Sequence, residues 1–226
     1  MEYYELSYLL MFASILITVI AQIFVSLSYA KYKKVANSKG MTGAEVAREI
    51  LDKHGLDNIY VTETRGTLSD HYDPNRKVIR LSKEVYRGKT IAAVSVAAHE
   101  VGHAIQDKEG YGFMRFRSAM FPLVNFSSKA GYFAILIGIV FGLVDLIWIG
   151  IALEIIILLF QLVTLPVEFD ASHRAGIEIS QNNFLVAGER EGSKKMLKAA
   201  AFTYVASLLT TIIEIFRLVL LARSDD

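Results

Sequence analysis

The sequence predicts an α-helical membrane protein with four transmembrane helices and one small α+β module. Hydrophobic residues make up 53% of the 226 residues, and the mean hydropathy of +0.38 is too high for an ordinary soluble domain. The apolar residues form four long runs, while most charged residues lie in two polar segments between those runs. A folded module outside the membrane would therefore have to form from the polar segments.

The first apolar run, residues 6–30, predicts a transmembrane helix. Its 25 residues carry no charge, and a helix of about 20 apolar residues is long enough to cross the hydrocarbon core of a bilayer. The preceding MEYYE contains neither Lys nor Arg, whereas a cleaved signal peptide begins with basic residues. We therefore expect this helix to remain in the protein.

Three further apolar runs predict the remaining spans. Residues 121–142 and 146–165 form a transmembrane hairpin, because only a short turn with Asp145 separates them, and residues 199–221 form the last span. The predicted organisation is a transmembrane helix (1–30), a polar α+β module (31–118), a transmembrane hairpin (119–166), a second polar loop (167–198) and a C-terminal transmembrane helix (199–226).

The distribution of basic residues predicts the side of the membrane on which the polar segments lie. Residues 31–117 hold 16 Lys and Arg, and residues 166–198 hold 5. The N-terminal tail and the hairpin turn hold none. The positive-inside rule therefore places both polar segments in the cytoplasm.

The composition excludes several classes of site and partner. Because the chain has no Cys, disulfides, iron–sulfur clusters, thiolate metal sites and a Cys nucleophile are excluded, and a metal site would need His, Asp or Glu. The formal net charge of +1 provides no general attraction for nucleic acid. We expect no nucleic-acid partner.

Residues 90–107 predict a helix that carries the main chemical motif. Thr90 is a candidate N-cap, and the apolar residues that follow predict a helix packed on one face. His99 and His103 lie at i and i+4, so both imidazoles can reach one Zn²⁺. Glu100 follows the first His, where its carboxylate can deprotonate a zinc-bound water. A chance pattern is the alternative, but small residues flank the pair and the chain has only five His.

A catalytic zinc requires a third protein ligand, and the residues alone leave four candidates. Glu168, Asp170 and His173 follow the third predicted span, and His71 lies in the first polar segment. His54 is assigned instead to the end of a helix that begins with a Thr42–Glu45 capping box and stops at Gly55.

Three motifs together resemble a known family. AAHEVGHAIQ, the upstream SDHYDPNRKVIRLS and the downstream LPVEFDASHRA occur in an order that resembles the YugP-like neutral zinc metallopeptidases of bacterial membranes. More distantly, the chain is similar to the HtpX-like and CAAX-prenyl membrane zinc proteases. In those distant relatives an aspartate follows the glutamate ligand by four residues, whereas Ser172 occupies that position here.

The resemblance implies a zincin-like, gluzincin-like module with one Zn²⁺ per chain, bound by His99, His103 and Glu168. Glu100 would be the general base. His71, Asp170 and His173 would orient ligands or contact substrate. The implied function is a multi-pass metallopeptidase of the bacterial inner membrane, whose active site faces the cytoplasm and cleaves peptide substrates, including membrane-tethered ones. The lipid bilayer is the other expected partner.

Two short strands are predicted at residues 59–62 and 77–82. Proteases with this type of helix commonly present an edge strand, to which an extended peptide can add through backbone hydrogen bonds. The alternative is a hairpin that only completes the small module.

Two other functions are alternatives to a peptidase active at the membrane surface. A catalytically silent adaptor, in which zinc stabilises the membrane protein, would keep the ligands without turnover. A site-2-type intramembrane protease would place the motif in the bilayer, but at most about 17 apolar or small residues surround it, which is too short for a span.

Within the predicted spans, Glu154, Glu214 and Arg217 are expected to form contacts between or along helices.

Overall fold

A computed structural model describes the backbone of residues 2–224 and the side chains of residues 5–223. Met1, Asp225 and Asp226, which the first and last predicted segments include, lie outside the described residues. Within residues 2–224 the chain forms seven helices and three strands: α1 (Glu2–Tyr32), α2 (Gly43–Lys53), β1 (Tyr60–Thr64), β2 (His71–Asp73), β3 (Val78–Ser82), α3 (Lys83–Tyr86), α4 (Ile91–Glu109), α5 (Gly112–Phe141), α6 (Val144–Gln181) and α7 (Ala187–Ser224).

The described residues form two compact units. We call residues 2–22, 115–165 and 202–224 the helical unit, and residues 23–114 and 166–201 the mixed unit. The helical unit contains segments of α1, α5, α6 and α7 and the short connection between α5 and α6, whereas the mixed unit contains the sheet and the shorter helices.

The prediction of four membrane-spanning helices is confirmed in length and composition. Among the described residues, α1, α5, α6 and α7 are long and apolar enough to cross a membrane. Helix α6 continues beyond the predicted span, through Pro166 to Gln181. The second polar segment is therefore mostly helical and interrupted only at residues 182–186.

Close glycine contacts join α5 and α6 within the helical unit. A methyl group added at Gly150 would overlap the side chain of Ile135, and one added at Gly138 would overlap Ile147. Inside a membrane, burial away from water does not drive helices together, so their association depends on close van der Waals packing. Small residues such as glycine let the two backbones approach closely enough for it. In the same unit, Arg217 donates to both carboxylate oxygens of Glu214 at 2.8 and 2.5 Å, as the three-residue spacing predicts.

The sheet of the mixed unit has the order β1-β3-β2. β1 and β3, the two predicted strands, are parallel, and β2 pairs with β3 in the antiparallel direction. The alternative that the two predicted strands form a hairpin is therefore wrong. The sequence pattern did not reveal β2, because three residues are too few to establish an alternation of apolar and polar side chains.

Capping residues set the limits of α2 and α4 as predicted. Thr42 forms a capping box with Glu45 at the start of α2, and His54 is the C-cap before Gly55, whose φ is +60°. The Thr90 side chain accepts from the Ala93 amide at the start of α4.

Helix α4 is buried on nearly all sides, which differs from the predicted packing on one face. Fourteen of its 19 residues are buried. Its small residues contribute to this burial, because Ala97, Ala98 and Ala104 are fully buried and Gly102 lies against the backbone of Ala171. Residues 99–103, which form the pattern His-Glu-x-x-His and are called the HExxH motif below, therefore lie in the interior of the mixed unit.

Candidate metal centre

His99 and His103 lie one helical turn apart on α4. Their ring centroids are 4.8 Å apart and the ring planes are nearly perpendicular, at 81°. The i, i+4 spacing places both rings on the same side of the helix. His103 is buried and His99 is mostly so, which limits the contact of both imidazoles with water.

Glu168 on α6 faces the two histidines. Its Oε2 lies 3.3 Å from Nε2 of His99 and 3.6 Å from Nε2 of His103. One ligand atom from each residue forms a cluster in which all distances are within 4.8 Å. The three side chains thus converge on one point from two helices.

Gly102 allows α6 to approach α4 closely enough for this convergence. A Cβ built at Gly102 would lie 2.7 Å from the backbone oxygen of Ala171. Ala171 is one turn from Glu168 on α6, and Gly102 lies between the two histidines on α4. A larger residue at position 102 would collide with the backbone that positions Glu168.

Glu100 is buried, and its charge acts on the same cluster. Burial by itself lowers the pKa of His103, but the adjacent Glu168 carboxylate outweighs this effect, and Glu100 and Gln106 add to it. The pKa of His103 is consequently raised above the ordinary value. The negative field at the cluster favours a cation.

The other ring nitrogens of the two histidines have separate partners. Nδ1 of His99 lies 3.2 Å from the Ser172 hydroxyl, and Nδ1 of His103 lies 2.9 Å from Oε1 of Gln106. These contacts engage the nitrogens that point away from Glu168 and leave both Nε2 atoms directed toward it. Such contacts commonly orient histidines that bind metal ions.

Comparison with known proteins is consistent with this arrangement of donors. Residues 7–223 match the model of the family described as "Putative neutral zinc metallopeptidase". The chain belongs to this family. It is also 49% identical over 201 residues to "Putative membrane protease YugP" of Bacillus subtilis (strain 168), a match that covers 89% of each chain. No solved structure matches the chain at a significant level. The predicted resemblance to the YugP-like family is therefore confirmed.

The donor set of this family member fits zinc. Two imidazole nitrogens and one carboxylate oxygen are donors that zinc accepts, and three protein ligands leave a coordination position open for water or substrate. The partial burial of the cluster and the Glu168 carboxylate that faces both histidines also favour a divalent cation.

The structure separates Glu168 from the other three candidates for the third ligand. His71 lies on β2 with its Nδ1 against the backbone oxygen of Ser69 at 2.8 Å, and His173 is exposed on α6. Asp170 contacts Gln106 and not the cluster. Among the side chains of residues 5–223, the metal-type cluster contains none of these three residues.

Sequence reasoning missed Gln106 and Ser172. Gln106 lies three residues after His103, about one helical turn, and this i, i+3 spacing of two polar side chains was an available signal. Ser172 occupies the position at which distant relatives carry an aspartate, so its contact with His99 could have been anticipated from that substitution.

Proposed function

We propose that this family member is a membrane zinc metallopeptidase that hydrolyses peptide bonds. His99, His103 and Glu168 bind one Zn²⁺ per chain, and Glu100 is the general base. The convergence of two Nε2 atoms and one carboxylate oxygen within 4.8 Å carries this proposal. Membership of the zinc metallopeptidase family supports zinc-dependent hydrolysis of peptide bonds.

Zinc, when bound, acts as a Lewis acid that polarises a carbonyl and lowers the pKa of a coordinated water toward about 7. Glu100 accepts a proton from the attacking water at its carboxylate and delivers it to the departing amine, as a single positioned base and acid can. Its burial beside the cluster keeps the carboxylate close to the reacting atoms.

We propose further that the mixed unit is a zincin-like module on the cytoplasmic side of the bacterial inner membrane. The excess of Lys and Arg in both polar segments supports this side. Glu168 follows the apolar run 146–165 by only three residues, which supports action near the membrane surface on peptides that include membrane-tethered chains. An extended peptide adding to an edge strand of the sheet is the binding mode we expect.

Metal removal tests the proposed activity. Full-length protein in detergent is expected to contain about one zinc per chain, as a site with three protein ligands requires. Treatment with 1,10-phenanthroline should abolish cleavage of fluorescent casein, and added Zn²⁺ should restore it. Zinc without cleavage of casein or of a membrane-protein substrate would favour the catalytically silent adaptor, and absence of zinc would contradict the proposed site.

Single cysteines test the proposed side of the membrane, because the chain has no Cys of its own. Leu143→Cys lies in the exposed connection between α5 and α6, and Thr67→Cys lies in an exposed loop of the mixed unit. In intact spheroplasts, a membrane-impermeant maleimide should label the first variant. It should label the second only after permeabilisation. The reverse pattern would place the mixed unit outside the cell.

A further inference from the structure

Gln106 is a fully buried amide between the two helices of the candidate metal centre. Its relative exposure is 0%. Its Nε2 donates to the backbone oxygen of Val167 at 2.8 Å and to Oδ2 of Asp170 at 2.8 Å. Both partners are on α6, whereas Gln106 is on α4.

These two contacts determine the orientation of the Gln106 amide. A carbonyl oxygen and a carboxylate oxygen only accept hydrogen bonds, so both hydrogens of the amide nitrogen must point toward them. The opposite orientation would place the amide oxygen against two acceptors inside the protein. Oε1 is therefore the atom that faces His103.

The orientation of the amide in turn determines the tautomer of His103. Oε1 of Gln106 lies 2.9 Å from Nδ1 of His103. Since this oxygen can only accept, Nδ1 carries the hydrogen. The lone pair of the neutral ring then lies on Nε2, the nitrogen that faces Glu168.

An ion pair holds the far end of this hydrogen-bonded chain. Nε of Arg174 donates to Oδ2 of Asp170 at 2.5 Å, and Nη1 of Arg174 lies 2.8 Å from Oε2 of Glu109. Oδ2 of Asp170 thus accepts from both Gln106 and Arg174. The chain of contacts returns to α4 at Glu109, so both helices take part in orienting one imidazole.

His99 has no equivalent constraint on its tautomer. Its Nδ1 faces the Ser172 hydroxyl at 3.2 Å, and a hydroxyl can either donate or accept. The two histidines of the motif are thus supported differently. Only the partner of His103 is restricted to one hydrogen-bonding role.

We propose that Gln106 is the positioning residue that holds His103 in the Nδ1–H tautomer and couples it to the Asp170–Arg174 ion pair. The inference rests on the proposed metal site and assigns a role to a residue outside the HExxH motif. Gln106 acts through His103 and does not itself contact the metal or substrate.

The test measures metal binding and not turnover. Gln106→Met keeps a similar volume but removes the acceptor for Nδ1 and both donors. We expect its zinc affinity, measured by competition with a chelator, to fall about 10–100-fold, as is typical when a partner of a ligating histidine is removed. The visible absorption spectrum of the Co²⁺-substituted protein should change as well.

A second variant separates the acceptor for His103 from the contacts with α6. In Gln106→Glu, the carboxylate can still accept from Nδ1 of His103, but it cannot donate to Val167 or Asp170. We expect this variant to bind zinc more tightly than Gln106→Met and to keep a Co²⁺ spectrum closer to that of the wild type. Gln161→Met is the matched control, because Gln161 is a partly buried amide on α6 that bonds Ser207, and it should bind zinc as the wild type does.

The outcomes separate the two proposals. If wild-type protein binds zinc and Gln106→Met binds it equally well with an unchanged spectrum, the role of Gln106 is refuted while the site stands. A loss in Gln106→Met that Gln106→Glu shares in full would also refute it, in favour of the contacts with α6 alone. If wild-type protein and His103→Ala bind equally little zinc, the metal site itself fails.

Discussion

Glu100→Gln is expected to lower the turnover of peptide substrate by about 10²–10⁴-fold, the range that a positioned general base contributes. The substitution preserves the shape of the buried side chain but replaces the carboxylate with an amide, which is too weak a base to take a proton from water. His99, His103 and Glu168 are unchanged, so zinc content should remain at the wild-type level. Loss of turnover with retained zinc is the combination that a base predicts.

Cleavage of fluorescent casein and elemental analysis of the same sample measure the two quantities together. Glu49→Gln is the control, because Glu49 is a partly exposed glutamate on α2 that pairs with Lys53 and lies outside the cluster. It should retain both activity and zinc. Wild-type cleavage rates in Glu100→Gln would remove Glu100 from the mechanism, and unchanged function in cells despite lost cleavage would favour the adaptor.

Glu168→Ala is expected to deprive the protein of bound zinc. The carboxylate is the anionic donor of the cluster, and its removal leaves the two imidazoles as the only donors of the cluster. We expect affinity to fall by more than about 100-fold, the upper end of the loss caused by removing a residue that only supports a ligand. Turnover should fall with zinc occupancy.

Zinc per chain is to be measured in detergent-purified wild type and variant. Glu178→Ala is a matched control, since Glu178 is a buried glutamate of α6 whose partner, His54, lies outside the cluster. This control should keep its zinc. Undiminished zinc in Glu168→Ala would exclude Glu168 as a ligand and turn attention to His71, Asp170 and His173.

Local sequence patterns were sufficient to predict the membrane-spanning helices and two of the candidate metal ligands, His99 and His103. Long runs without charge predict four spanning helices regardless of what they pack against, because the length needed to cross a bilayer is a local property. The i, i+4 spacing of His99 and His103 likewise predicts their common face from helix geometry alone. The caps at Thr42 and Thr90 depend on contacts three residues apart.

Contacts between residues far apart in sequence determine the third candidate ligand and the orientation of His103. The residues alone left Glu168, Asp170, His173 and His71 as candidates, and only the family resemblance favoured Glu168. The approach of α6 to Gly102 brings Glu168 to the two histidines. Gln106 and Val167 are 61 residues apart in sequence, so the local periodicity of side chains could not predict the hydrogen bond that orients the Gln106 amide toward His103. The sequence by itself therefore determined the helices and the HExxH spacing, whereas tertiary packing alone decided which carboxylate faces the motif and how its second histidine is oriented.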